Sequence, residues 1–266
     1  MNEKDERIER LKISKVSSGK KEEIEDVVVA EAPLTIALNE EKVVTLLCTP
    51  QDQEYLAVGF LFSEGLIQNK KEIQRFDFDR KKNKINVITK SKRSIPSDFS
   101  QTKILTSGCA KGVTFSNMEN IDPAKDLLID LQTTLTSSEI QKLMHEFEKR
   151  SVLFRQTGGV HAAALADKEK ILIYFEDIGR HNAVDKVFGK CLLEGISCED
   201  KLLLLSGRIS SDILAKASKS KVTIIVSRSA PTSLAVKNAL KLGITLVGFA
   251  RGSKMNIYSF PLRITT

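Results

Sequence analysis

The stretch that decides the fold is LLLLSGRISSDILAKASKSKVTIIVSRSAPTSLAVKNALKLGITLVGF, residues 202–249. Short apolar runs at 202–205, 222–226 and 244–249 alternate with helical patterns at 210–219 and 232–241. Gly243 follows the second helix, at the position where a glycine commonly ends a helix. Continuous apolar strands that alternate with helices predict a parallel sheet covered on both faces, so the sequence predicts an α/β fold for this part of the chain.

The same α/β pattern extends upstream to residue 136. Residues 160–166 and 171–175 predict a pair of strands, and residues 182–193 predict a helix with Cys191 on its buried face. Thr136 and Glu139 have the spacing of a capping box, which predicts the start of another helix. We therefore expect residues 136–266 to form one α/β domain.

Residues 25–135 predict a smaller α+β domain. Strand patterns precede an apolar helix at 54–66, and residues 75–79 and 84–88 predict a hairpin. The charged residues 1–24 predict a mobile tail or a frayed first strand.

Composition limits the classes of partner. The 266 residues have a net charge of +7, which favours anionic partners such as nucleotides or phosphates. Basic and acidic residues interleave and tryptophan is absent, so we expect no nucleic-acid partner. Four scattered cysteines without a C-x-x-C pair predict a reduced, cytoplasmic protein without structural zinc. No apolar run approaches the length of a membrane helix and Met1–Asp5 has no signal-peptide character, so we expect no membrane association.

Four loops are predicted at the carboxyl ends of the strands, where open α/β sheets bind ligands. Each combines Gly, Ser or Thr with Arg or Lys, and they span residues 176–182, 206–211, 227–233 and 249–254. Helix N-termini and arginine side chains both bind phosphate. The loops therefore predict a site for an anionic, nucleotide-like ligand, with Arg208, Ser229 and Arg251 among its residues.

Two histidines lie near these loops, and each has two interpretations. His181 is either a base or phosphate contact, or a cap for its own helix. His161, after Gly158-Gly159-Val160, either reaches the site or packs in the core.

Cys109 is the candidate reactive group. It lies in the stretch LTSGCAKG, residues 105–112, which has no helical or strand periodicity. Gly108 and Gly112 free the backbone on either side, and Lys111 favours the reactive thiolate. The alternative is a small buried hydrophobic residue, which is the usual role of a free cysteine.

Several stretches closely resemble the formate dehydrogenase accessory sulfurtransferases. The longest is EDIGRHNAVDK at 176–186. The others are EAPL at 31–34, VGFLFSEG at 58–65, TSGC at 106–109, TGGVHAA at 157–163, LSGR at 205–208 and FARG at 249–252. They occur in order from about residue 25 to about residue 260.

The resemblance implies a sulfurtransferase that works as a sulfur carrier. A cysteine desulfurase would pass sulfur to Cys109, which becomes a persulfide. The protein would then sulfurate the molybdenum cofactor, a bis-molybdopterin guanine dinucleotide, for formate dehydrogenase. The family's cofactor-binding segment corresponds to Phe249, Ala250, Arg251, Gly252, Ser253 and Lys254. The resemblance also implies a homodimer and a cytidine deaminase-like three-layer fold for the larger domain.

The sequence departs in two respects from motifs of the related proteins, one in the Cys109 loop and one in the zinc motifs of the cytidine deaminase fold. Many family members have C-x-x-C in the loop, whereas the second position here is Gly112, so an intraloop disulfide is excluded. In zinc deaminases, a His/Cys-x-Glu and a P-C-x-x-C sequence hold the metal. The corresponding stretches here are His181-Asn182-Ala183 and Pro231–Ala235, which lack the glutamate and the cysteines, so no zinc is expected.

The alternative function is a non-catalytic chaperone that binds the molybdenum cofactor.

Overall fold

The computed structural model describes residues 5–91, 104–105 and 133–266. Cys109 and Gly112 lie outside these residues. The strands are β1 (Ile8–Ser17), β2 (Lys20–Val29), β3 (Ala32–Leu38), β4 (Glu41–Cys48), β5 (Ile73–Asp79), β6 (Lys84–Thr89), β7 (Ile104–Leu105), β8 (Leu135–Thr136), β9 (His161–Ala166), β10 (Ile171–Asp177), β11 (Leu202–Leu205), β12 (Ile224–Ser227), β13 (Thr245–Arg251), β14 (Lys254–Ile257) and β15 (Ile264–Thr265). The α-helices are α1 (Gln53–Ser63), α2 (Ser137–Arg150), α3 (Val152–Thr157), α4 (Arg180–Glu194), α5 (Ser211–Lys219) and α6 (Ser233–Leu242).

The larger sheet has the strand order β10-β9-β11-β12-β13-β14. Strands β11, β12 and β13 are parallel, as the alternation of strands and helices predicts. Strands β9, β10 and β14 pair antiparallel to their neighbours, so the sheet is mixed, and the pairing of β9 with β10 confirms the pair of strands predicted over 160–166 and 171–175. The lengths of the connections explain the β9–β10 and β13–β14 hairpins. The turns at 167–170 and 252–253 are too short for a crossover, so they reverse the chain.

Helices cover both faces of this sheet. Apolar side chains of α4, α5 and α6 pack against one face, and those of α2 pack against the other. The predicted capping box starts α2: Thr136 Oγ1 accepts from the Glu139 amide at 3.1 Å, and the Glu139 carboxylate accepts from the Thr136 amide at 2.6 Å. The larger part of the chain is therefore a mixed α/β structure of a sheet between two helical layers.

The N-terminal sheet, with the order β5-β6-β3-β4-β7, packs against α1. Helix α1 in turn crosses α4 at two glycines. A Cβ at Gly59 would lie 1.8 Å from the Asp185 carbonyl oxygen, and a Cβ at Gly189 would lie 1.9 Å from the Tyr55 carbonyl oxygen. Only glycine permits this close approach. Helix α4 is consequently enclosed between α1 and the larger sheet, and ten of its 15 residues are buried.

Two buried ion pairs join α4 to its neighbours, one to the end of β10 and the other to α5. Lys186 Nζ lies 2.7 Å from an Asp177 carboxylate oxygen, and both side chains are completely buried. Lys216 Nζ lies 2.6 Å from the Asp185 carboxylate, which also accepts from the Ser63 hydroxyl at 2.7 Å. Buried charges require such partners.

The first two strands form a long hairpin that the sequence analysis did not expect. Residues 8–17 and 20–29 pair antiparallel in continuous register, where a mobile tail or a frayed first strand was predicted over 1–24. Most side chains of this hairpin are exposed, so the strands lack the apolar alternation that marks a half-buried strand. Opposite charges face each other instead, as in Lys12 and Lys15 against Glu25 and Glu22.

No helix in the described residues is long and apolar enough to cross a membrane.

Candidate functional site

The four predicted loops meet at one edge of the larger sheet. Each contributes one residue to the wall of a single cavity of about 470 Å³: Ile178, Ser206, Arg228 and Arg251. They do so because β11, β12 and β13 end at this edge, while the antiparallel β9 begins there at His161 and β10 ends there at Asp177. The sequence-based prediction of convergence at the carboxyl ends is confirmed for these loops.

Polar contacts with neighbouring loops, strands and helices hold the polar side chains that line the cavity. Arg251 Nε donates to the Arg228 carbonyl oxygen at 2.7 Å, and Arg228 Nε lies 2.9 Å from the Glu148 carboxylate. Ser206 Oγ accepts from the Ala162 amide at 2.8 Å. Both arginines line the cavity, where guanidinium groups suit an anionic ligand.

His161 lines this cavity, so of its two interpretations the one in which it reaches the site is confirmed. Its Nδ1 lies 3.4 Å from Ser206 Oγ. Burial, and then the positive charges of Arg180 and Arg208, lower the pKa of His161 below its usual value. A Cβ at Gly207 would lie 3.2 Å from the same ring nitrogen, so the imidazole rests directly on the backbone of the second loop. His161 is consequently neutral near pH 7 and available as a hydrogen-bonding group.

His181, unlike His161, does not line the cavity. It is buried in the first turn of α4, where Gly179 is the N-cap residue, so His181 does not cap its helix. Its Nε2 lies 3.5 Å from the hydroxyl of Ser210, which is the N-cap residue of α5. Burial, with the charges of Lys216 and Arg180, lowers the pKa of His181 to about 3. A neutral, enclosed imidazole of this kind connects α4 to α5.

Three of the predicted site residues outside the segment 249–254 do not line the cavity. Among the described residues that line it, neither His181 nor Arg208 nor Ser229 occurs. Arg208 is exposed on the second loop. The Ser229 carbonyl oxygen accepts from the Phe249 amide at 3.1 Å, which joins the third loop to the fourth.

Residues 249–254 form the tip of the β13–β14 hairpin. Ala250 is buried, whereas Phe249, Arg251, Gly252, Ser253 and Lys254 are exposed. Arg251 and Lys254 pair across a two-residue turn, and Gly252 has a φ of +55°. Phe249 also has a positive φ, of +52°, which is unusual for an aromatic residue and marks local strain next to the cavity.

Part of the cavity wall comes from helices that the sequence analysis did not connect with the site. Phe147 and Glu148 come from the last turn of α2, Ser151 lies between α2 and α3, and Phe154 comes from α3. Glu176 positions α3, because its carboxylate accepts from the Leu153 and Phe154 amides, both at 3.0 Å. The amphipathic pattern of α2 predicts only its apolar face, so no local signal marks Glu148 as a site residue.

The long stretch 176–186 mostly joins layers instead of lining the cavity. Asp177 accepts from the Thr49 amide at 3.2 Å, from the Gly179 amide at 2.9 Å and from the Asn182 side chain at 2.8 Å. The Asn182 amide group also donates to the Leu47 carbonyl oxygen at 2.9 Å. Asp177 and Asn182 therefore tie the end of β4 and the residues after it to the loop that leads to the cavity.

A comparison with known proteins matches the model of the FdhD/NarQ family to residues 29–265. A protein of Bacillus subtilis named sulfur carrier protein FdhD is 42% identical over 92% of this chain and 93% of its own length. A protein of the same name from Bacillus pumilus is 44% identical over 90% of this chain and 91% of its own. The crystal structure of a proposed formate dehydrogenase accessory protein from Desulfotalea psychrophila superimposes with a TM-score of 0.78 at 30% identity, covering 97% of this chain and 99% of the other.

Proposed function

We propose that this chain, which belongs to the FdhD/NarQ family, is a sulfur carrier for the maturation of a formate dehydrogenase. The observation on which the proposal rests is 42–44% identity over at least nine tenths of the chain to proteins named as sulfur carriers. The similarity to the Desulfotalea psychrophila structure supports the link to formate dehydrogenase.

Cys109 is the group to which we assign sulfur transfer. Its thiolate would attack the terminal sulfur of a persulfide on a cysteine desulfurase. An S–S bond would then form at Cys109, and the donor cysteine would leave as a thiolate. This exchange needs one attacking sulfur on the carrier, so it is compatible with Gly112 in place of a second loop cysteine.

The surroundings of β7 support a role for the segment that follows it. Ile104 and Leu105 pair in parallel with Thr45 and Leu46 of β4. Thr49, three residues beyond Leu46, hydrogen-bonds both Asp177 and the Ile178 amide of the first loop. Strand β7 therefore leads into the segment that contains Cys109. Its neighbour β4 leads to Thr49, which contacts the first loop beside the cavity.

We assign the cavity to the nucleotide part of the cargo, the molybdenum cofactor bis-molybdopterin guanine dinucleotide. A volume of about 470 Å³ suits one nucleotide-sized group. Arg228 and Arg251 provide phosphate contacts in the wall, and Arg208 provides a further exposed charge at the same sheet edge. The cofactor is the substrate of the transfer.

The wider assignment is a cytoplasmic homodimer with cytidine deaminase-like layering of its larger part. Its partners are a cysteine desulfurase and a formate dehydrogenase. We propose no zinc site, because His181-Asn182-Ala183 and Pro231–Ala235 lack the glutamate and the cysteines of the zinc deaminases.

Deleting the thiol tests the relay. Cys109→Ala is expected to fold normally and bind nucleotide, yet to leave formate dehydrogenase inactive in cells that depend on this protein. Ser107→Ala, two residues earlier in the sequence, keeps the thiol and serves as the matched control. Full formate dehydrogenase activity with Cys109→Ala would overturn the sulfur relay and favour the alternative, a chaperone that only binds the cofactor.

A further inference from the structure

A second cavity, of about 650 Å³, lies at the opposite end of α4 from the first. Ile178, two residues before the helix begins, lines the first cavity, whereas Cys191 and Leu192 in its last turn line the second. The 15 residues of α4 span roughly 22 Å at about 1.5 Å per residue. The two cavities are therefore separate sites.

Positive charge surrounds the second cavity. Four lysines line it, Lys70, Lys71, Lys219 and Lys221, and Glu199 is the one carboxylate among the described lining residues. Lys221 pairs with Glu199 at 2.6 Å, and Lys219 Nζ lies 5.3 Å from the centre of the Phe62 ring. A surplus of three positive charges around a partly apolar cavity favours a small anionic ligand.

Two thiols lie in the same wall. Cys191 and Cys198 both line the cavity, and the Cys191 thiol donates a hydrogen bond to Cys198. This bond, together with the charge of Lys201, lowers the pKa of Cys198 despite burial, while the pKa of Cys191 is raised. Cys198 is thus the better nucleophile of the pair. Ser220 also lines this wall, and its buried hydroxyl has no hydrogen-bond partner among the described residues.

We propose that this cavity binds a small organic disulfide bearing carboxylate groups, and that Cys198 and Cys191 exchange thiols with it. Anionic groups of the ligand would face the lysines while its S–S bond lies against Cys198. The Cys198 thiolate attacks one sulfur, forming a mixed disulfide and releasing the first ligand thiolate, which takes up a proton. Cys191 then loses its proton and attacks Cys198, which releases the second ligand thiol. The two protein thiols are oxidised and the ligand disulfide is reduced to two thiols.

Three disulfides of similar size and different charge test this proposal: 3,3′-dithiodipropionate, bis(2-hydroxyethyl) disulfide and cystamine. Trypsin cuts after Lys190 and Lys201, so both thiols fall on one peptide, CLLEGISCEDK. Mass spectrometry of this peptide from the full-length protein follows the loss of two hydrogens. At low salt, we expect the dianionic probe to react about tenfold faster than the neutral one, and cystamine to react most slowly.

Variants distinguish thiol exchange that depends on the cavity from general reactivity of the two thiols. Lys219→Gln is expected to remove most of the advantage of the anionic probe, and Lys237→Gln, a change of an exposed lysine on α6, is expected to leave it intact. Cys191→Ser should trap the mixed disulfide on Cys198. Equal rates for the three probes, or a peptide that stays reduced while the protein is folded, would overturn the proposal. Neither result bears on the sulfur relay, because the assay does not involve Cys109.

Discussion

Replacing Lys186 by methionine tests whether the stretch 176–186 joins the layers of the protein. Lys186 and Asp177 are completely buried and 2.7 Å apart, so Lys186→Met leaves a carboxylate without its counter-charge in the interior. Breaking a buried ion pair in this way costs about 3–5 kcal/mol in the free energy of unfolding. For a chain of this length, that corresponds to a Tm lower by roughly 6–10 °C.

The matched control is Lys190→Met, one turn along the same helix. Lys190 pairs with Glu194 at 3.5 Å, and about a third of its side chain is exposed. Partly exposed pairs contribute little, so a loss within about 1 kcal/mol is expected. Urea unfolding followed by circular dichroism measures both variants.

The double variant Asp177→Asn/Lys186→Met removes both charges and should be more stable than Lys186→Met alone. A Lys186→Met protein as stable as Lys190→Met, or a double variant no better than the single one, would refute the reasoning.

Three further changes have expected outcomes. Gly59→Ala places a Cβ 1.8 Å from the Asp185 carbonyl oxygen and so weakens the packing of α1 on α4. We expect thermal denaturation to show a Tm several degrees lower. The pKa of His181 is about 3 in the folded state and near 6.5 unfolded, so the unfolded state binds the extra proton and stability falls as the pH drops from about 6.5 toward 3. Urea titrations at pH 7, 6 and 5 should show a smaller loss in His181→Gln than in the unchanged protein; equal slopes would contradict this assignment. Arg251→Ala should weaken binding of guanosine diphosphate at least tenfold by calorimetry, with Lys237→Ala as the unaffected control.

The alternation of strands and helices allowed the parallel core of the larger sheet to be predicted. The cap residues Thr136 and Gly243 likewise have local chemistry that fixes helix ends, and both are found in these roles. The antiparallel pairing of β9 with β11 was not predictable from apolar runs alone, because β10 and α4 separate these strands along the chain. The β1–β2 hairpin was not predictable, because its mostly exposed strands lack the alternation of apolar and polar residues that marks a half-buried strand.

The candidate site was predictable where it consists of strand-end loops. Each of the four loops does contribute a residue to the cavity. The contribution of Glu148 was not predictable, because it depends on where α2 lies relative to Arg228, a contact between residues 80 positions apart. His181 is the opposite case. It belongs to a predicted ligand loop, yet its side chain is enclosed between α4 and α5 and does not line the cavity. Long-range packing, which no local pattern specifies, decides both cases.

The most direct test of the account is the intact mass of the protein after incubation with a cysteine desulfurase and cysteine. The sulfur-relay proposal predicts a gain of one sulfur atom, which reductant removes and which is absent from Cys109→Ala. No gain, or a gain that persists in Cys109→Ala, would contradict the proposal that Cys109 carries the sulfur.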